Sequence, residues 1–417
     1  MLDRELRDAR ARTLTYVADL RDDQFFVPHL PIVNPLLWEL GHIGYFAEWW
    51  TLRHLGGRAP ILHNADAWYD SAAIAHDDRW SLPLPSRSPT LAFLDEQLAG
   101  TIALSDRLAD DDRLRYFYGL ILGHEDMHGE ALLYTRSTLH YTRPHVQTLR
   151  PPVRQSQATG DAAIPGGRYR IGASRGDGFV FDNEKWAHDV DVDDFAIARA
   201  CVTNEEYAAF VLDGGYSDER LWSAAGWKWR TSEGVTMPLS WRNADCEPLG
   251  FERRVFDQWT ALAGNEPVTQ ICAHEADAFA RWAHRRLPTE AEWEIAASGK
   301  ERRRYPWGNS TPTSEHGNLD LWYGDVLDVH DFASGDTPEG VRQMLGNVWE
   351  WTASPFMPYP GFSVDPYKEY SAPWLRTHRV LRGGAWSTRA RLVHNRWRNF
   401  YLPHRRDIFT GFRTCAR

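Results

Sequence analysis

Tyr116-Phe-Tyr-Gly-Leu-Ile-Leu-Gly-His124-Glu-Asp-Met-His128-Gly-Glu-Ala-Leu-Leu-Tyr134-Thr-Arg-Ser-Thr-Leu139 reads as one long helix. Histidines four apart on a helix share a face and lie within reach of a single metal ion. Two ligands do not complete a site. Upstream, Trp38-Glu-Leu-Gly-His42-Ile-Gly-Tyr45-Phe-Ala-Glu-Trp49 puts Trp38, His42, Tyr45 and Trp49 on one helical face, and His42 is the best candidate for a third ligand. Three imidazoles from two helices would make an open metal site.

Other readings of these residues stand beside that one. The chain holds 17 histidines, so an i,i+4 pair arises by chance, and a single histidine at 42 is commonly a satisfied core residue. His-Glu-x-x-His is also the zinc metalloprotease signature, in which the glutamate activates a metal-bound water. The extended protease form needs a third histidine six positions beyond the second, where this chain has Tyr134. Glu130 lies too close on the same helix to serve as the usual downstream ligand.

With 417 residues, 43% of them hydrophobic and 25% charged, the chain is long enough for two domains with separate cores. Tryptophan is the outlier at 20 residues, some of which could line a ligand pocket. A net charge of −10 argues against nucleic acid and anionic membrane as partners. The four cysteines, Cys201, Cys246, Cys272 and Cys415, form no CxxC and predict no disulfide scaffold. The charged start Met1-Leu-Asp-Arg-Glu-Leu-Arg is unlike a signal peptide, and no apolar run approaches the ~18 residues of a membrane span. The expectation is a cytoplasmic, reducing location.

The character of the chain changes near residue 150. Before it, helical patterns cover roughly 2–21, 34–55, 89–108 and 110–140, predicting a four-helix bundle over residues 1–150 in which facing helices project ligands inward. Gln155-Ser-Gln-Ala-Thr-Gly-Asp161 reads as a linker. Residues 160–417 are rich in Gly and Trp and predict an irregular α+β domain, with helices expected over 204–212, 273–285 and 288–298.

In that second half, eight motifs resemble the formylglycine-generating-enzyme domain in order and spacing. They are Gly166-Gly-Arg-Tyr-Arg-Ile-Gly172, Phe181-Asp-Asn-Glu184, Val202-Thr-Asn-Glu-Glu-Tyr207, Arg286-Leu-Pro-Thr-Glu-Ala-Glu-Trp293-Glu, Tyr305-Pro-Trp-Gly-Asn309, Gly346-Asn-Val-Trp-Glu-Trp351, Arg382-Gly-Gly-Ala-Trp386 and Gly411-Phe-Arg413. The resemblance implies a C-type-lectin-like α+β fold. That family's own chemistry uses a C-terminal cysteine pair, and 385–401 contains no cysteine, so formylglycine generation does not carry over.

A DinB-like bundle with a distal His and a His-x-x-x-His, set before such a domain, resembles the non-haem iron sulfoxide synthases: ergothioneine-type and ovothiol-type enzymes and the related selenoneine synthases. The resemblance implies Fe(II) held by His42, His124 and His128. It also implies O2 and hercynine as substrates, with a selenosugar or a thiol as donor. Iron facially bound by neutral imidazoles leaves room for donor, O2 and imidazole substrate. The segment Trp397-Arg-Asn399-Phe400-Tyr401 resembles the family's hercynine-pocket segment and implies substrate contacts for Asn399 and Phe400. The resemblance further implies an iron-proximal catalytic tyrosine after Trp351, for which Tyr359 is the candidate.

Two departures bear on the donor. Ergothioneine-type enzymes carry Gln where this chain has Met127, and a thioether cannot donate a hydrogen bond. The loop that supplies arginines to γ-glutamylcysteine users reads His76-Asp-Asp-Arg79-Trp, with one arginine beside two acids. Asp77 and Asp78 would repel a dianionic donor. Met127 and Arg79 are the expected substrate contacts on this side, and the departures lean towards an uncharged selenosugar and the selenoneine-synthase branch.

Overall fold

In a computed structural model that describes residues 2–107, 111–152 and 156–417, the chain forms two compact units, Met1–His145 and Val146–Arg417. The expected helix boundaries at 108 and 110, and Gln155 of the linker, lie outside the described residues.

The first unit is helical: α1 (Leu2–Thr15), α2 (Leu36–Ala47), a short α3 (Ala65–Tyr69), α4 (Arg87–Arg107) and α5 (Asp112–Thr138). Every residue of α2 is buried, which makes it the central rod of the bundle rather than an amphipathic surface helix. Two glycines permit this. A Cβ at Gly41 would stand 2.1 Å from the Tyr69 ring, and one at Gly44 would stand 2.7 Å from Phe93 and Leu94 of α4. α2 runs on as a π-helical segment, Glu48–Leu55. The wider turn rotates Trp49 off the predicted stripe and leaves it 38% exposed, while Trp38, His42 and Tyr45 stay buried. Arg10 of α1 binds α5 at Glu125 and α4 at Leu94 and Gln97, tying three helices together. Among the described residues, no helix is long and apolar enough to cross a membrane.

The second unit mixes short strands and helices. Strands β1 (Asp161–Ile164), β2 (Gly167–Ile171), β3 (His188–Val192) and β4 (Phe195–Ala198) pair as β1–β4 and β2–β3, both antiparallel. After α6 (Asn204–Leu212) and α7 (Ala224–Ser232) come β5 (Trp241–Asn243), β6 (Phe251–Val255) and β7 (Gln258–Ala261), a three-stranded meander. α8 (Ala273–Trp282) and α9 (Glu290–Ser298) precede the central sheet. That sheet contains β8 (Trp349–Pro355), β9 (Arg379–Arg382), β10 (Asn399–Tyr401) and β11 (Thr410–Gly411), in the order β10-β9-β8-β11.

The sequence motifs meet in this core. Glu350 of β8 is held by Arg413 at 2.7 Å and by the Trp293 indole at 2.9 Å. Glu290 pairs with Arg398 at 2.6 Å, and Glu294 pairs with Arg382. All these charges are buried, so each must be paired, and the matched acids and bases fix one packing of α9 against the sheet.

Candidate metal centre

His42, on the buried rod α2, faces His124 and His128 on α5; the three ring centroids lie 4.2–5.0 Å apart. One ligand atom from each lies within 4.8 Å of those of the other two. The rings are clamped on their faces, with Trp38 stacked on His42 at 4.7 Å and Phe46 on His124 at 3.6 Å.

Two of the three tautomers follow from hydrogen bonds. His42 Nδ1–H donates to the Tyr69 carbonyl at 2.8 Å, since a carbonyl can only accept, and this frees Nε2 as a lone-pair donor. That carbonyl is one of the unsatisfied C-terminal groups of α3, and the neighbouring Trp68 carbonyl accepts from the Trp38 indole at 2.8 Å. His128 Nδ1–H donates to Glu39 Oε1 at 2.5 Å. Burial disfavours the Glu39 carboxylate, but its interaction with His128 and the hydrogen bonds from His128 and Asn34 outweigh it and hold the group below its ordinary range. Burial, reinforced by His128, lowers His42 to about 3 and His124 well below its usual value, so both rings are neutral at physiological pH.

His124 Nε2 and His128 Nε2 approach to 3.0 Å, a separation at which two ring nitrogens need a proton or a cation between their lone pairs. Neutral, buried imidazoles at His42 and His124, with the Nδ1 positions of His42 and His128 anchored, suit a divalent transition metal. His128 keeps 21% of its side-chain surface exposed, so the cluster opens on that side. His29, His76 and Asp77 form a second group with ligating atoms close together, but both His76 nitrogens already have acceptors, Asp77 and the Val33 carbonyl.

The metalloprotease reading fails on Glu125. Its carboxylate points away from the histidines and pairs with buried Arg10 at 2.8 Å, so it is not free to activate water.

The remaining candidates are placed as follows. Met127 is half-buried on α5, next to His128. Arg79 sits on a 3-10 turn, His76–Trp80, with its guanidinium 3.9 Å over the Trp38 ring and its Nη1 donating to Asn34 at 2.6 Å. In the second unit, Phe400 stacks on Phe356 at 4.1 Å, with Tyr370 and His378 edge-on at 5.9 Å. Asn399 turns its Oδ1 to the Phe400 backbone N–H at 2.8 Å. Tyr359, the expected catalytic tyrosine, lies in the second unit. Its ring is buried under Arg398 at 4.0 Å and its hydroxyl donates to Glu290, while burial and the Glu290 charge keep the phenol protonated. Glu39, Asn34 and the Tyr69 carbonyl were missed, although an acid three residues before His42 was a signal that could have pointed to Glu39.

Residues 5–134 match the DinB superfamily and residues 146–417 the Sulfatase-modifying factor enzyme 1-like domain. Among relatives, the chain is 39% identical to a hercynine oxygenase of Mycolicibacterium thermoresistibile, an alignment covering 99% of this chain and 94% of that one. It is 36% identical to a hercynine oxygenase of Mycolicibacterium smegmatis, over 98% of this chain and 97% of that one. A formylglycine-generating enzyme of Thermomonospora curvata is 32% identical over 63% of this chain and 95% of its own length. All four cysteines here are free. With a three-histidine bundle ahead of a C-type-lectin-like domain, and with identity running almost end to end, the chain belongs to the hercynine oxygenase family of oxygen-dependent enzymes.

Proposed function

We propose that this chain is a non-haem Fe(II)- and O2-dependent oxidoreductase that joins selenium from a selenosugar to the imidazole ring of hercynine. The observation that carries the reading is the cluster His42, His124 and His128, with His42 and His124 buried and His42 and His128 anchored through Nδ1, in a chain 39% identical to a hercynine oxygenase. When bound there, Fe(II) supplies O2 activation and a coordination site that holds the donor chalcogen beside the imidazole carbon. Tyr69 and Glu39 orient the ligand rings, and Trp38 and Phe46 keep water from their faces. Phe400 and Tyr370, both part-exposed, offer ring surface suited to a trimethylammonium group, which attracts π-clouds and donates no hydrogen bonds. Asn399 beside them supplies a polar contact.

The donor assignment rests on the turn at 76–80. Its one arginine, Arg79, is already engaged by Asn34 and Trp38, while Asp77 and Asp78 are exposed. This arrangement favours an uncharged donor over a dianion. The second reading keeps the same iron chemistry with γ-glutamylcysteine or cysteine, and similarity to hercynine oxygenases fits either donor. Protein reconstituted anaerobically with Fe(II), then given O2, hercynine and either a selenosugar or γ-glutamylcysteine, is expected to yield a hercynine–selenium adduct by mass spectrometry with the selenosugar alone. A γ-glutamylcysteinyl sulfoxide would instead establish the thiol reading.

Met127→Gln provides a separate check on substrate seating. A new neutral hydrogen bond to the imidazole is worth ~1 kcal/mol, so the KM for hercynine is expected to fall about fivefold. Steady-state kinetics at saturating donor measure this, and an unchanged KM would place position 127 away from the ring.

A further inference from the structure

We propose that Arg79 is a positioning residue for the metal centre, acting on two ligands by separate routes. The inference rests on the three-histidine reading of the site.

The first route is a chain of hydrogen bonds. Arg79 Nη1 donates to Asn34 Oδ1 at 2.6 Å, Asn34 Nδ2 donates to Glu39 Oε2 at 2.8 Å, and Glu39 Oε1 accepts from His128 Nδ1 at 2.5 Å. Asn34 is the hinge of this route. Because Arg79 claims the amide oxygen, the amide NH2 must face Glu39, and the carboxylate is then presented to His128 in one orientation. The second route is a stack. The guanidinium lies 3.9 Å over Trp38, and Trp38 lies parallel to His42 at 4.7 Å and 8°. The Trp68 and Tyr69 carbonyls pin the edges of Trp38 and His42, so the stack can tilt little while the cation covers it. One side chain on an otherwise acidic turn thus braces a ligand on α2 and another on α5.

Second-shell partners of ligating histidines set ring orientation and donor strength, and losing one costs ~10–100-fold in metal affinity. The test uses the full-length protein and Co(II), whose d–d absorption reports ligand geometry independently of turnover, with affinity measured by chelator competition. Arg79→Met and Asn34→Ala are each expected to weaken Co(II) about tenfold and to shift the d–d bands. Arg79→Lys, which keeps a cation and a donor, is expected to retain most of the affinity. The double variant Arg79→Met/Asn34→Ala should lose less than the two single effects combined, because they share one route. Affinity within twofold of wild type and unchanged bands in both single variants would overturn the proposal. Should Arg79→Met not fold, Asn34→Ala decides alone, since it cuts the first route without uncovering Trp38. Wild-type protein that binds no Co(II) would overturn the metal reading itself, and the brace with it.

Discussion

Replacing His128 with alanine is expected to cut hercynine turnover by more than ~100-fold, beyond what loss of a second-shell partner costs, and to take bound metal well below one equivalent per chain. His128 is the informative ligand to remove. It is the member of the trio at the open edge, so the packing loss is small, whereas His42 and His124 are sandwiched by Trp38 and Phe46. Glu39 keeps its hydrogen bond from Asn34 in the variant, which limits the cost of a buried carboxylate. Metal analysis after Fe(II) reconstitution, product formation by mass spectrometry and far-UV circular dichroism together read the result. Normal turnover and full metal occupancy in a folded variant would return these histidines to the role of ordinary core residues.

How much of this site the sequence discloses depends on which interactions are local. His124 and His128 are legible because helical periodicity alone puts them on one face, and His42 because its helix is written in aromatic residues at helical spacing. The groups that orient them come from elsewhere in the chain: a backbone carbonyl at Tyr69, and the amide of Asn34 held by Arg79. Neither carries a periodic signal. The surroundings of Tyr359 were illegible for the same reason, because distance along the chain from Trp351 says nothing of the direction of a side chain in an irregular loop, and Arg398 and Glu290 hold its ring in the core. In the second unit the motif acids and bases were legible as a family pattern, yet their pairing into a buried lattice could be seen only once α9, β8 and β9 were assembled. α7 was missed because Ala224-Ala-Gly-Trp-Lys-Trp-Arg-Thr-Ser232 mixes glycine with aromatic and β-branched residues of low helix propensity; its N-cap, Ser223, accepting from Gly226 N–H, was the available signal.

The glutamate inside the His-Glu-x-x-His segment separates a structural role from a hydrolytic one. Glu125→Ala is expected to destabilise the first unit by ~3–5 kcal/mol, because it leaves Arg10 as a buried cation facing only the neutral Leu94 carbonyl and Gln97 amide. For a domain whose total stability is ~5–15 kcal/mol, that loss is a large part of the whole and is readable as a shift in the urea midpoint. Variant that stays folded should still bind metal through His42, His124 and His128, since the carboxylate is directed at α1 and not at the ring nitrogens. Replacing both partners with methionine removes the unpaired charge along with the pair, and is expected to recover most of the lost stability. A metal-bound hydrolase would behave in the opposite way: its general-base glutamate could be removed with little effect on folding and with near-complete loss of activity. Stability lost in the single variant and regained in the double variant would therefore assign Glu125 to the bundle, and leave the open side of the histidine cluster to substrate and O2.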